Sequence, residues 1–157
     1  MMKDDFQIAA IPDICLGMNS RLASRTTTKV LGRLLEPLGL DPTQFPIMVM
    51  LHLHPGMVVS ALSISLDIEA SGISRNIQTL ERKGLVISSG GRGRKGKQLT
   101  LSPTGLKVFK QAVRCWNEAQ QMLIAELGEK EVNEARQMMR NVSVAAQRLL
   151  ATMDKGG

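Results

Sequence analysis

Residues 68–85, IEASGISRNIQTLERKGL, decide the fold. Ile73, Ile77 and Leu80 recur at three- and four-residue spacing, which makes one side of a helix apolar. Ser71, Ser74, Arg75, Gln78 and Thr79 fall largely on the other side. Lys83 followed by Gly84 closes such a helix with a basic residue and then a glycine. Upstream, Val59 to Ser65 reads as a short helix and Asp67 to Ala70 as a brief turn. Downstream, Leu85-Val86-Ile87-Ser88 and Leu99-Thr100-Leu101-Ser102 are short, apolar, β-favouring runs with glycines between them, the pattern of a hairpin. The predicted order is helix, turn, helix, wing.

The hairpin tip, Gly90 to Gln98, reads GGRGRKGKQ, with four glycines and four positive charges. From Arg75 to Lys97 there are seven basic residues against one acid, Glu81, and elsewhere the thirteen basic and thirteen acidic residues cancel. The whole net charge of +6 therefore sits in this segment. Such a concentration is the electrostatic footprint of a polyanion-binding surface. A recognition helix must offer short polar and forked basic side chains to a major groove, where Arg pairs with guanine and Asn or Gln with adenine. Ser71, Ser74, Arg75, Asn76, Gln78 and Thr79 supply that inventory, with Asn76 nearest the helix edge, where it can serve instead as a structural hydrogen bonder. Arg92, Arg94, Lys95 and Lys97 at the hairpin tip suit a neighbouring minor groove or phosphates, where charge counts more than pairing geometry.

The chain has 157 residues, about one domain, with a core that must be built from aliphatic side chains and Met because only three Phe, one Trp and no Tyr are present. No apolar run approaches the roughly 18 residues of a membrane span, and the start, MMKDDFQIAAIPD, lacks the basic and apolar regions of a secretory signal. A cytoplasmic protein is the expectation.

Asp13 is expected to cap a first helix running to about Glu36, where Pro37 and Gly39 stop it. Asp41-Pro42-Thr43-Gln44 is expected to open a second helix reaching about His54. From Pro103 onward, Leu106, Phe109, Val113, Trp116, Leu123 and Leu127 keep heptad-compatible spacing, broken at Gln120. Val132, Ala135, Met139, Val142, Ala146, Leu149 and Met153 then alternate by three and four. Gly128-Glu129 divides the two helices, and a seam of this kind calls for partner helices.

Three segments, LEPLGLDPTQFPIMVML, SGISRNIQTLERKGLV and LTLSPTGLKVF, resemble the MarR family of winged helix-turn-helix transcriptional regulators in order and spacing over nearly the whole chain. The resemblance implies a mainly α protein with a small β-hairpin wing, a single MarR-like domain over 1–157. Within it, 13–38 and 103–153 would be dimerisation helices and 41–101 the winged helix-turn-helix lobe that binds DNA. It further implies a cytoplasmic homodimer on a palindromic operator, acting as a repressor released by a small-molecule or redox signal. In this family an effector between the dimer helices and the DNA-binding lobe alters the spacing of the recognition helices. One departure stands out: family wings brace their loop with an acid ahead of an arginine, and here Gly93 stands at the acidic position before Arg94. The missing brace predicts a more mobile wing with Arg94 free to contact DNA.

Other chemistries fit less well. Gly91 to Lys97 approximates a phosphate-binding loop, but Gln98 replaces the magnesium-binding Ser or Thr, and a strand and Pro103 follow where a helix is needed. His52 and His54 point about 200° apart on a helix and do not share a metal. Cys15 and Cys115 have no paired spacing for a disulfide or zinc. No nucleophile motif or acid-base pair stands out, so neither an enzyme nor a cofactor is expected. Cys15 near a helix start is a redox candidate, although hydroperoxide-sensing relatives surround theirs with tyrosines that this chain lacks. Met18, Met48 and Met50 could line an adaptable effector pocket if they meet between the first two helices. The rival to DNA binding is a protein-interaction module, the winged helix serving as scaffold for an acidic partner.

Overall fold

The computed structural model describes residues 2–90 and 96–155. Among these the chain forms α1 (Met2–Ile14), α2 (Leu16–Leu35), a 3-10 turn (Glu36–Leu38), α3 (Gln44–Leu53), α4 (Val59–Leu66) and α5 (Ala70–Arg82). The hairpin strands β1 (Val86–Ser89) and β2 (Gln98–Leu101) follow, then α6 (Pro103–Leu127) and α7 (Glu129–Met153). The protein is mainly α with a two-stranded antiparallel wing, and residues fall into two units, 28–117 and the terminal helices 1–27 with 118–157.

The unit 28–117 is the winged helix-turn-helix lobe. Its core joins Leu35, Leu40, Phe45, Ile47, Met48, Leu51, Leu62, Ile73, Ile77, Leu80, Leu85, Val86, Leu99, Phe109 and Ala112. Phe45 and Phe109 stack at a centroid distance of 6.2 Å. The hairpin pairs Val86 with Leu101 and Ser89 with Gln98, and Met57 adds a single antiparallel bridge to Leu99. Leu99 is thus buried between the wing root and the loop before α4.

Local chemistry explains the boundaries. Asp41 Oδ1 accepts the Thr43 N–H at 2.8 Å, while the Asp41 N–H donates to Gln44 Oε1 at 3.2 Å, a reciprocal cap ahead of α3. Asp67 ends α4 in the left-handed region, φ 52°, which a short polar side chain tolerates. Gly84, φ 67°, supplies the same turn after α5 at lower cost. Ser102 caps α6: its Oγ accepts the Gly105 N–H at 2.8 Å and donates to the Gly84 carbonyl at 2.6 Å. Gly105 is obligatory there, because a Cβ would come within 1.9 Å of the Leu85 carbonyl oxygen.

The first helix departs from expectation. Asp13 does not cap it; the residue lies in the last turn of α1, and α2 begins only at Leu16. Pro12 within α1 removes a hydrogen-bond donor just where that helix ends. The joint is fastened by Asn19, whose side-chain amide donates to the carbonyls of Pro12, Asp13 and Cys15 at 3.0, 3.3 and 3.0 Å.

In the terminal unit α6 gives way to α7 at Gly128, φ 94°, as the sequence predicts. Val132 and Ala119 are buried, and Arg136 donates to Gln120 Oε1 at 2.7 Å. Farther along, the α7 seam opens to solvent: Met139, Leu149 and Met153 are 50, 65 and 73 % exposed. Ile14, Leu16, Met18 and Leu22 are likewise more than half or about half exposed. No described helix is long and apolar enough to cross a membrane.

Candidate nucleic-acid interface

The helix that carries the expected recognition residues is α5. Ile73, Ile77 and Leu80 anchor one side in the core, and that fixes which residues face outward. Ser71, Arg75 and Gln78 are exposed on the opposite side, whereas Ser74 and Thr79 are half-buried at its margins. Arg82 is exposed too; seven residues after Arg75, it returns to within about 20° of the same direction. Its place on this face was readable from that spacing and was missed. Arg82 donates to the Thr79 hydroxyl at 3.1 Å, and that hydroxyl donates to the Arg75 carbonyl at 3.1 Å, so Thr79 is engaged within the helix.

Asn76 stands apart from the outward face. Its amide donates to the Gly72 carbonyl at 3.2 Å, and its Oδ1 lies 3.2 Å from the Thr43 hydroxyl at the cap of α3. It is half-buried and acts as a structural hydrogen bonder at the helix edge, the alternative that its angular position allows. On the same edge two turns farther on, Lys83 donates from Nζ to the Gly39 carbonyl. Both ties join α5 to the turn between α2 and α3. No local pattern announces them, because the partners lie 33 and 44 residues away.

Lys97 is exposed at the base of β2. Arg92, Arg94 and Lys95, with the Gly93 position of the missing brace, lie outside the described residues. Among the described residues, this lobe has an open cleft of about 580 Å³ beside Lys29, Arg33 and Lys83 and a smaller one of about 370 Å³ beside His52 and Leu106. Neither is lined by Met18, Met48 or Met50. Met48 is fully buried in the core and offers a ligand no surface; Met50 packs half-buried against that core, and Met18 lies in the terminal unit.

His52 rests on Phe109, ring centroids 4.8 Å apart. Among the described residues no three His, Cys, Asp or Glu side chains converge on a possible metal position. Cys15 is half-buried at the joint of α1 and α2, and Cys115 packs against the core.

Against known proteins, residues 38–95 match the model of the MarR family, from the turn before α3 into the wing. The match covers a little over a third of the chain. Among solved structures of such regulators, the M. tuberculosis transcriptional regulator MosR is 27% identical, with a TM-score of 0.76 over 87% of this chain and 98% of that one. A second MosR structure, in complex with DNA, gives 27% identity and a TM-score of 0.75, over 86% and 98%. The repressor CouR bound to a 23-mer DNA duplex has a TM-score of 0.77 at 19% identity, covering 85% of this chain and 95% of its own, and shows the shared MarR fold. No curated protein sequence matches the chain.

Proposed function

We propose that this protein is a transcriptional regulator of the MarR family that binds a palindromic operator as a homodimer in the cytoplasm, acting as a repressor that a small-molecule or redox signal releases. The observation that carries it is the sorting of α5: three apolar residues turn inward, Asn76 ties down one edge, and Ser71, Arg75, Gln78 and Arg82 are left facing out. A solvated surface needs no such inventory, whereas base reading does. The resemblance to MosR, solved with DNA, agrees with this.

Residues 41–101 form the DNA-binding lobe in this account, with Ser74 and Thr79 at the margin of the contact and Arg92, Arg94, Lys95 and Lys97 gripping phosphates or the minor groove. The terminal helices, 13–38 and 103–153, make the dimer: the exposed seam of α7 and the exposed Ile14, Leu16 and Leu22 are covered by a second copy. Two-fold symmetry then sets two recognition helices in successive major grooves, about 34–36 Å apart. Cys15 at the α1–α2 joint is the site of the redox alternative. If peroxide leaves DNA affinity unchanged, the signal is a small molecule.

Substitution separates base reading from phosphate gripping. Arg75→Ala is expected to lower affinity for the preferred duplex by about 1–3 kcal/mol and to relax its selectivity. Lys97→Ala is expected to weaken all duplexes alike and to flatten the salt dependence by about one unit. Equal behaviour of the two variants would refute this division. Failure of the intact protein to bind any duplex would favour the protein-interaction reading.

A further inference from the structure

We propose that Lys29, Arg33 and Lys83 form a separate phosphate seat beside the recognition helix, taking one DNA backbone phosphate per lobe outside the helix and wing contacts. The inference rests on the DNA-binding reading and adds to it a surface that lies on α2, an element that reading uses only for dimerisation.

The geometry points there in three steps. Lys29 and Arg33 are four residues apart, hence on one face of the last two turns of α2, and both are exposed. Gly32 between them faces Pro42, whose ring would meet a Cβ at 3.4 Å; this close approach brings α2 onto the turn before α3 and makes the floor of the 580 Å³ cleft. Lys83 closes the cleft from the end of α5, held by its bond to the Gly39 carbonyl.

Three cations thus border one open cleft, and among the described residues none of them lies within salt-bridge distance of a carboxylate. Glu36 and Asp41 also line it, so the cleft carries three positive charges against two negative ones, with the Asp41 carboxylate turned to the Thr43 N–H and hydroxyl. An ammonium held by a carbonyl keeps two further N–H donors, and Arg33 offers a planar fork, a donor set that suits a phosphate oxygen.

A DNA phosphate suits the cleft better than a free anion. The cleft is shallow and open rather than enclosing, so it admits a polymer passing across it. It also adjoins the edge of α5 bearing Asn76 and Lys83, about 80–100° from the outward face defined by Arg75. A helix seated in a major groove is flanked by phosphate strands on its edges.

The test compares the full-length protein with K29Q/R33Q, which keeps the first two methylenes of each stem, and with K130Q/R148Q, which removes two exposed cations from α7. Duplex affinity is measured from about 50 to 200 mM salt on a preferred and a scrambled sequence. K29Q/R33Q is expected to reduce the slope of log K against log salt by about 0.9 per lobe engaged while leaving the ratio between the two sequences unchanged. K130Q/R148Q is expected to leave the slope at the wild-type value. Equal slopes for all three proteins would overturn the seat, as would an equal loss in both variants, which would mark a general charge effect. Calorimetry with inorganic phosphate in the absence of DNA supplies the remaining arm. Saturable phosphate binding lost in K29Q/R33Q, with the DNA slope unchanged, would assign the cleft to a free anion and also overturn the proposal. Absence of duplex binding by the wild type would instead refute the functional reading on which it rests.

Discussion

Ser102→Ala tests how the recognition helix is fastened to the rest of the lobe. The Ser102 hydroxyl accepts the buried Gly105 N–H at the start of α6 and donates to the Gly84 carbonyl that ends the turn after α5. Losing a serine cap costs about 1 kcal/mol, and a buried N–H left without an acceptor raises this toward 1–3 kcal/mol. The lost bond to the partly buried Gly84 carbonyl adds about 1 kcal/mol. The sum is about 2–4 kcal/mol. With a urea slope of about 2 kcal/mol/M, the unfolding midpoint should fall by about 1–2 M at fixed protein concentration. Ser102→Thr, which keeps the hydroxyl, should recover most of the loss. Ser65→Ala, at an exposed position on α4, is the reference for an inconsequential serine. A Ser102→Ala midpoint no lower than that of Ser65→Ala would refute the assignment of this hydroxyl as the fastener.

Three further expectations follow from the same geometry. Gly105→Ala forces a Cβ into the Leu85 carbonyl and should destabilise by about 3 kcal/mol or more, visible in the same urea titration; an unchanged midpoint would mean that α6 and the Leu85 turn separate freely. Asn76→Ala should lower stability by about 1 kcal/mol while preserving the sequence preference that Arg75→Ala relaxes, as duplex competition would show. Leu149→Glu, on the exposed seam of α7, should shift the sedimenting species from dimer toward monomer while helical circular dichroism of the lobe persists. An unaltered dimer would place the interface elsewhere.

The winged lobe was legible because its signals are local. The Ile73, Ile77 and Leu80 spacing, the glycine after Lys83, the apolar runs flanking the basic loop and the break at Gly128 each act within a few residues, and each stands where the sequence puts it. The α1–α2 joint was not legible. Pro12 and Asp13 resemble the opening of a helix, and here Pro12 falls in the final turn of one, tolerated because that helix ends two residues later. The decisive residue is Asn19, whose amide satisfies carbonyls up to seven residues back, and nothing in its own neighbourhood marks it for that role. Met48 shows the opposite limit: apolar periodicity identified a packed side chain but could not tell core from pocket wall. The phosphate seat was hidden for a related reason, since Lys29 and Arg33 lie at least fifty residues before Lys83, which is held at the same cleft by its bond to the Gly39 carbonyl.

The central claim is that the outward face of α5 reads DNA in a two-fold assembly. The most direct measurement is selection of duplexes from a random pool by the purified protein at moderate salt, with sequencing of the retained molecules. The account predicts enrichment of one palindrome whose half-sites are about 10–10.5 base pairs apart, centre to centre. Retention without enrichment, or no retention, would contradict it.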